Sequence, residues 1–158
     1  MSIQLVRGTK DLFGEDILKY NYIVDTAREI SGLYNFKEIM TPIFEFSEVF
    51  EQNLGDTTDI VLKELYRFRD KSDNYLSLRP EFTAGVVRAI LGHPELNGNL
   101  PIKLFSQGPV FRYDRPQKGR QRQFSQVNFE YFGNASYMGD VDMIAMSSNF
   151  LSRLKLQG

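Results

Sequence analysis

Residues 110–132 read VFRYDRPQKGRQRQFSQVNFEYF, and the fold turns on this stretch. Val110 to Tyr113 is strand-like, and Gln123 to Phe132 alternates with the period of two that a strand requires. Between them lies a run rich in Pro, Gly, Lys and Arg that reads as a loop. Two strands joined this way suit hairpin pairing, not the long crossover of a parallel sheet.

The pattern extends upstream. Ile102 to Gln107 is strand-like, set apart from Val110 by Gly108-Pro109. Leu65 to Arg69 and Tyr75 to Leu78 flank Asp-Lys-Ser-Asp-Asn, a hairpin signal. Arg79-Pro80-Glu81 opens a helix to about Leu91. Ile17, Tyr20, Ile23, Val24, Ala27, Ile30 and Leu33 recur at helical spacing, so a helix is predicted from about Glu15 to Tyr34, stopped by Asn35. Phe36 to Thr41 reads as a strand closed by Pro42. Ile43 to Phe46 continues extended, and Ser47 is placed to cap a helix through Leu54, with Gly55 beyond. Met138 to Leu154 is a closing helix. Strands joined mainly by hairpins and flanked by helices give an α+β fold around an antiparallel sheet.

Composition narrows the chemistry. The chain has 158 residues, enough for one core, with 42% hydrophobic and 25% charged residues, an ordinary globular balance. There is no Cys and a single His, His93, so thiolate and His-pair metal sites and a Ser-His-Asp triad fall away. His93, between Gly92 and Pro94, reads as a surface residue. No stretch approaches the roughly 18 apolar residues of a membrane span, and residues 1–16 lack a secretory apolar region; the expected location is cytoplasmic. Asn134-Ala135-Ser136 matches a glycosylation acceptor, but without a secretory signal it reads as a chance match. Neither glycine-loop nucleotide motif is present.

A net charge of −1 conceals an asymmetry: residues 1–64 balance to −6 and residues 65–158 to +5. Arg112, Arg115, Lys118, Arg120 and Arg122 face only Asp114 within eleven residues. A solvated basic loop is the ordinary meaning of such a run; a phosphate contact is the sharper one. Arg112 sits at a strand end, where it is held rigid, while the loop cations are free to close over a ligand. Phosphoryl or adenylyl transfer needs that combination, because a preorganised guanidinium meets the developing charge. Phe124 offers a ring face for a nucleobase.

On the 123–132 strand, Phe124, Gln126, Asn128, Glu130 and Phe132 share one face. A solvated outer face explains this adequately. The floor of a ligand pocket explains it too, with Glu130 accepting a charge-assisted hydrogen bond from an ammonium or imidazole. Ser125, Val127, Phe129 and Tyr131 form the opposite, core-like face.

The run from Phe111 to Phe124, followed by Gln126 and Glu130, resembles the second signature motif of class II aminoacyl-tRNA synthetases, in detail that of the histidyl-tRNA synthetase family. Three further segments agree. Arg7-Gly8-Thr9-Lys10-Asp11 resembles the family's N-terminal signature. Residues 15–42, a helix and then a strand ending in Pro42, resemble the first class II motif, which builds the dimer interface. Leu76 to Gly85, with Arg79-Pro80-Glu81-Phe82-Thr83, resembles the substrate-binding strand and helix start.

The resemblance implies a class II antiparallel sheet flanked by helices, and activation of histidine with ATP and Mg²⁺ followed by transfer to tRNA-His. It assigns Arg112 to the α-phosphate as the catalytic residue, shared with the histidine site. Asp114 is assigned to adenine, Phe124 to stacking on it, and Arg120 to the terminal phosphates. Glu81, Thr83 and Gln126 are assigned to the α-amino end of histidine, and Glu130 to its imidazole. No residue is assigned as a metal ligand. Without the motif, Glu81 would be a first-turn acid on a helix dipole and Thr83 a plain helix residue. Two positions depart from the family pattern: Asp114 replaces the usual Glu, and Ser125 the usual His.

A homodimer through residues 15–50 is expected. So is incompleteness: residues 1–158 hold the N-terminal portion of a catalytic core, without the third motif or an anticodon-binding domain, and a separate C-terminal half is a possible partner. Two other readings compete. One is the non-aminoacylating paralogue that serves as regulatory subunit of ATP phosphoribosyltransferase, which usually erodes the Arg115–Phe124 run kept here. The other is a basic-loop RNA-binding domain, which has no use for Glu81, Gln126 and Glu130 together. Under the synthetase reading, residues 1–158 alone are expected to give no robust histidine-dependent ATP–pyrophosphate exchange. Robust exchange without added protein would overturn the expected incompleteness.

Overall fold

The computed structural model describes residues 3–51, 63–115 and 117–156. The element order is α1 (Glu15–Leu33), β1 (Lys37–Glu38), β2 (Phe44–Phe46), α2 (Glu48–Glu51), β3 (Arg67–Arg69), β4 (Tyr75–Leu78), α3 (Thr83–Gly92), α4 (Pro94–Asn97), β5 (Ile102–Phe111), β6 (Gln123–Phe132) and α5 (Tyr137–Arg153). Helices and strands of comparable weight make this an α+β chain. The described strands form two three-stranded sheets, ordered β1-β5-β6 and β2-β4-β3. The second is antiparallel throughout. In the first, β1 pairs with β5 in parallel, a difference from the antiparallel sheet expected. The two strands are far apart in sequence, so no turn between them dictates direction.

The chain divides into two compact units. The first comprises residues 1–11, 41–92 and 108–126; the second comprises 12–40, 93–107 and 127–158.

In the first unit, β3 and β4 form the expected hairpin, with Phe68 opposite Leu76. The Asp70 carboxylate closes the turn by accepting from the backbone N–H of Ser72 and Asn74 at 2.8 and 2.9 Å, the Asx geometry that favours Asp in turns. Ser47, expected to cap a helix with its side chain, shares a buried 2.8 Å hydrogen bond with the Ser77 hydroxyl instead. Its carbonyl accepts the first α2 bonds, from Phe50 and Glu51. The expected extension to Leu54 and Gly55 lies outside the described residues.

Helix α3 starts at Thr83, later than the expected Arg79. Arg79 is held extended by its main chain: its N–H donates to the Ile43 carbonyl and its carbonyl accepts from Phe111 N–H, both at 2.9 Å. The Glu81 carboxylate then caps the helix, accepting from the N–H groups of Thr83 and Ala84. Acidic caps of this kind satisfy orphan donors and complement the dipole.

In the second unit the predicted helices stand where the periodicity placed them. Asn35, the expected stop of α1, adopts a left-handed φ of 61°, a conformation Asn tolerates. The expected strand 36–41 shrinks to the Lys37–Glu38 pair, extended by one bond from Ile39 N–H to the Phe105 carbonyl. Phe36 turns into the core instead. Ala27, Ile30, Phe36, Phe105 and Met146 are buried together, with Val127, Phe129 and Phe150 packed against them. Phe129 meets Phe36 edge-on at 5.5 Å, Phe105 at 5.3 Å and Phe150 at 6.0 Å, so Val127 and Phe129 lie on the core face expected of them. Asn134 and Ser136, the chance glycosylation match, instead start α5. Asn134 Oδ1 accepts from Ser136 N–H, and Ser136 Oγ accepts from Met138 N–H, an ordinary N-cap.

Strands β5 and β6 contribute residues to both units. β5 is one strand where two were expected. Gly108 passes the Gly-Pro step at φ +139°, and Pro109 spends its carbonyl on the Arg79 side chain.

Ile30 is fully buried. Ile30→Val is expected to lower unfolding free energy by about 0.5–1.5 kcal/mol, read as a lower urea midpoint. Exposed Ile144→Ala should change it by less than about 0.5 kcal/mol.

Candidate active site

The loop after β5 is organised by its own backbone. Arg112 N–H donates to the Arg122 carbonyl at 3.0 Å, closing the loop at its base. At the tip, Arg120 N–H donates to the Gln117 carbonyl at 2.9 Å. Gly119 supplies the φ of +81° that this turn needs, a conformation costly for other residues. The N-terminal Arg-Gly-Thr signature docks on the base. The Gly8 carbonyl accepts from Arg122 and Gln123 N–H at 2.6 and 3.3 Å.

A cavity of about 490 Å³ opens beside this loop, lined by Glu64, Arg112, Asp114, Gly119, Arg120, Gln121 and Phe124. All four residues that the motif assigns to the nucleotide, Arg112, Asp114, Arg120 and Phe124, line it. Arg112 is half-buried. Its Nε donates to the Pro80 carbonyl at 3.0 Å and its guanidinium lies 5.2 Å from the Phe124 ring centre. Nε is thus committed to the scaffold, and no contact among the described residues takes the two Nη groups. A guanidinium fixed at one nitrogen, with its outer edge free, is preorganised to receive a planar anion. Glu64, absent from the sequence reading, lines the same wall, and its carbonyl accepts from Tyr113 N–H at 2.6 Å. Nothing in its local sequence marked it, because the contact spans about fifty residues.

Asp114 and Arg120 do more than point at a ligand. Asp114 Oδ2 accepts from Arg120 Nη1 at 3.0 Å, and Oδ1 accepts from Arg115 N–H at 2.6 Å. Arg122 Nε donates to the Asp114 carbonyl at 3.3 Å and stacks 4.2 Å from the Tyr113 ring centre. The acid expected beside adenine and the cation expected on phosphate therefore hold one another.

Four further predicted residues fall on two elements. Glu81 and Thr83 stand at the start of α3, with both Glu81 oxygens engaged in the cap. This is the first-turn acid of the plain reading, though each carboxylate oxygen keeps a further acceptor position. Gln126 and Glu130 lie on β6, four residues apart and so on one face. Glu130, in the second unit, accepts from Asn128 Nδ2 at 3.1 Å. Ser125 is exposed and on the opposite face. Among the described residues, no group of three or more His, Cys, Asp or Glu converges as a metal site.

A family model for histidyl-tRNA synthetase matches residues 8–158. The chain belongs to the histidyl-tRNA synthetase family. It is 56% identical over 153 residues to a histidine–tRNA ligase of Ehrlichia canis, covering 96% of this chain and 36% of that protein. A Rickettsia typhi histidine–tRNA ligase is 46% identical over 156 residues, covering 99% and 38%. Among solved structures, apo Staphylococcus aureus histidyl-tRNA synthetase aligns with a TM-score of 0.79 at 37% identity, over 96% of this chain and 35% of that one. A Bacillus halodurans protein described as an ATP phosphoribosyltransferase regulatory subunit/histidyl-tRNA synthetase aligns with a TM-score of 0.84 at 25% identity, over 99% and 39%. The chain spans little more than a third of the length of these relatives. The resemblance carried by residues 111–130 thus holds at the level of the histidyl-tRNA synthetase family.

The Asp114 carboxyl lies below the usual aspartate value, chiefly through its hydrogen bond from Arg120, aided by Arg115 N–H and the charges of Arg120 and Arg112. Because the folded value is lowered, the pair stabilises the loop fully above the ordinary aspartate range. That contribution fades as pH falls through the lowered value. A ¹³C NMR titration of the Asp114 carboxyl is expected to show a midpoint below that of a free aspartate, moving up in Arg120→Gln. A midpoint unchanged by that substitution would overturn the pairing.

Proposed function

We propose that the protein to which this chain belongs is a histidine–tRNA ligase, and that this chain binds ATP in the cavity beside the 112–122 loop. The observation that carries the reading is the convergence of Arg112, Asp114, Arg120 and Phe124 on one cavity. In the first step a carboxylate oxygen of histidine bonds to the α-phosphorus of ATP, and pyrophosphate leaves. The free Nη edge of Arg112 would take the charge that builds on the α-phosphate oxygens. Arg120, released from Asp114, would take the terminal phosphates, and Phe124 would stack on adenine. Magnesium would arrive on the nucleotide, where it screens phosphate charge. No protein nucleophile is needed, so the absence of Cys and the single His are no obstacle.

Histidine would be held by Glu81, Thr83, Gln126 and Arg112 at its amino and carboxyl end and by Glu130 at its imidazole. The histidyl group would then pass to the terminal adenosine of tRNA-His. Homodimerisation through residues 15–50 and a cytoplasmic location belong to the same reading. Exposed Leu18 and Tyr22 on α1 and exposed Phe44 and Phe46 on β2 are apolar groups available to a partner chain. Among the described residues, no helix is long and apolar enough to cross a membrane.

The regulatory-subunit reading finds support in the Bacillus halodurans relative, whose description carries both functions. The intact Arg115–Phe124 run around the cavity weighs against it. Calorimetric titration separates the readings. ATP is expected to bind, and Arg112→Ala to weaken it at least about tenfold, the loss of one charge-assisted contact. Glu130→Gln is expected to weaken histidine binding and leave ATP binding unchanged. Histidine binding without ATP binding would favour the regulatory subunit; binding of neither would overturn both.

A further inference from the structure

Arg79 carries no assigned role, yet it is 4% exposed and its charge has no carboxylate partner among the described residues. Its Nε donates to the Pro109 carbonyl at 2.9 Å and Nη1 to the Thr41 carbonyl at 3.0 Å. The guanidinium lies 4.2 Å from the Phe82 ring centre. Nη2 stands 3.0 Å from where a Cβ on Gly108 would be, so a side chain there would crowd it. Its main chain is bonded on both sides, to Ile43 and Phe111. The next carbonyl along, that of Pro80, receives Arg112 Nε. The next side chain, Glu81, caps α3.

We propose that Arg79 is the positioning residue of the candidate active site. It sets the Pro80 carbonyl, which aims the Arg112 guanidinium, and it sets the origin of α3 at Glu81. It reaches no ligand itself. Lysine cannot replace it, because one ammonium cannot lie flat on Phe82 while bonding two carbonyls in a fixed plane. The consequence for nucleotide binding rests on the function proposed above; the aiming of Arg112 does not.

The test reads Arg112 directly, by ¹⁵N NMR of its Nε–H in the 158-residue chain without ligand. Exchange of this proton with water should be slowed by the bond to Pro80. In Arg79→Lys it is expected to speed up at least tenfold, with circular dichroism and a cooperative urea transition retained. The control Arg88→Lys, at a residue paired with Glu45, should leave it unchanged. Unaltered Arg112 exchange in folded Arg79→Lys would overturn the proposal. If that variant does not fold, Phe82→Leu removes the ring beneath the guanidinium and keeps every donor. Acceleration of both Arg79 and Arg112 Nε–H then supports the proposal, and acceleration of Arg79 alone overturns it. With ATP, Arg79→Lys combined with Arg112→Ala should bind no more weakly than Arg112→Ala alone, because positioning acts through the missing group. Multiplicative losses would mark a merely structural role. Failure of the unaltered chain to bind ATP would sink the nucleotide reading and leave the exchange result to decide the positioning.

Discussion

Within the first unit, one buried cation organises nearly everything around it. Taking a guanidinium out of water is expensive, and here no carboxylate among the described residues compensates. Arg79 is compensated by two backbone carbonyls and an aromatic face. Burial pulls its proton affinity below the ordinary arginine value, but that value is so high that the group stays charged. The carbonyls of Thr41 and Pro109 belong to segments far apart in sequence. Losing the guanidinium would leave both short of a donor, each at about 1–3 kcal/mol. The arginine therefore constrains the end of the β1–β2 connection, the Gly108-Pro109 step of β5 and the start of α3 at once.

The loop built on that frame is a set of charges held ready. Arg112 is fixed at one nitrogen and open at the others. Arg120 is held by Asp114 but sits largely in solvent, where an ion pair is worth little and exchanges readily. A rigid cation beside a releasable one suits a ligand whose charge grows at one phosphate and departs on others. The second unit supplies a different resource. Its cluster of Phe36, Phe105, Phe129 and Phe150 anchors one face of β6, and period two then presents Glu130 on the other.

Much of this was legible in the residues. The 3.6-residue periodicity located α1 and α5, and alternation located β6 to the residue. The motif from Phe111 to Phe124 named four of the seven residues that line the cavity. The errors share a cause. Gly108-Pro109 reads as a break because Pro cannot join a ladder, but β5 runs through it and a distant arginine takes the Pro109 carbonyl. Arg79-Pro80-Glu81 reads as a helix start because Pro and Glu favour a first turn, but the Arg79 main chain is bonded to Ile43 and Phe111 and the helix begins only at Thr83. Glu64 reached the cavity wall with no local mark at all.

The sequence by itself determined the α+β class, the family and four of the side chains that line the cavity, because each rests on local periodicity or on a contiguous motif. Tertiary structure alone decided how those side chains are held. Arg79 looks in the sequence like any arginine before a Pro, a residue type that is mostly exposed. Only when residues 41, 79 and 109 come together does it become a buried cation whose neighbour aims Arg112. Partners chosen across so many residues of chain leave no trace in the order of the letters.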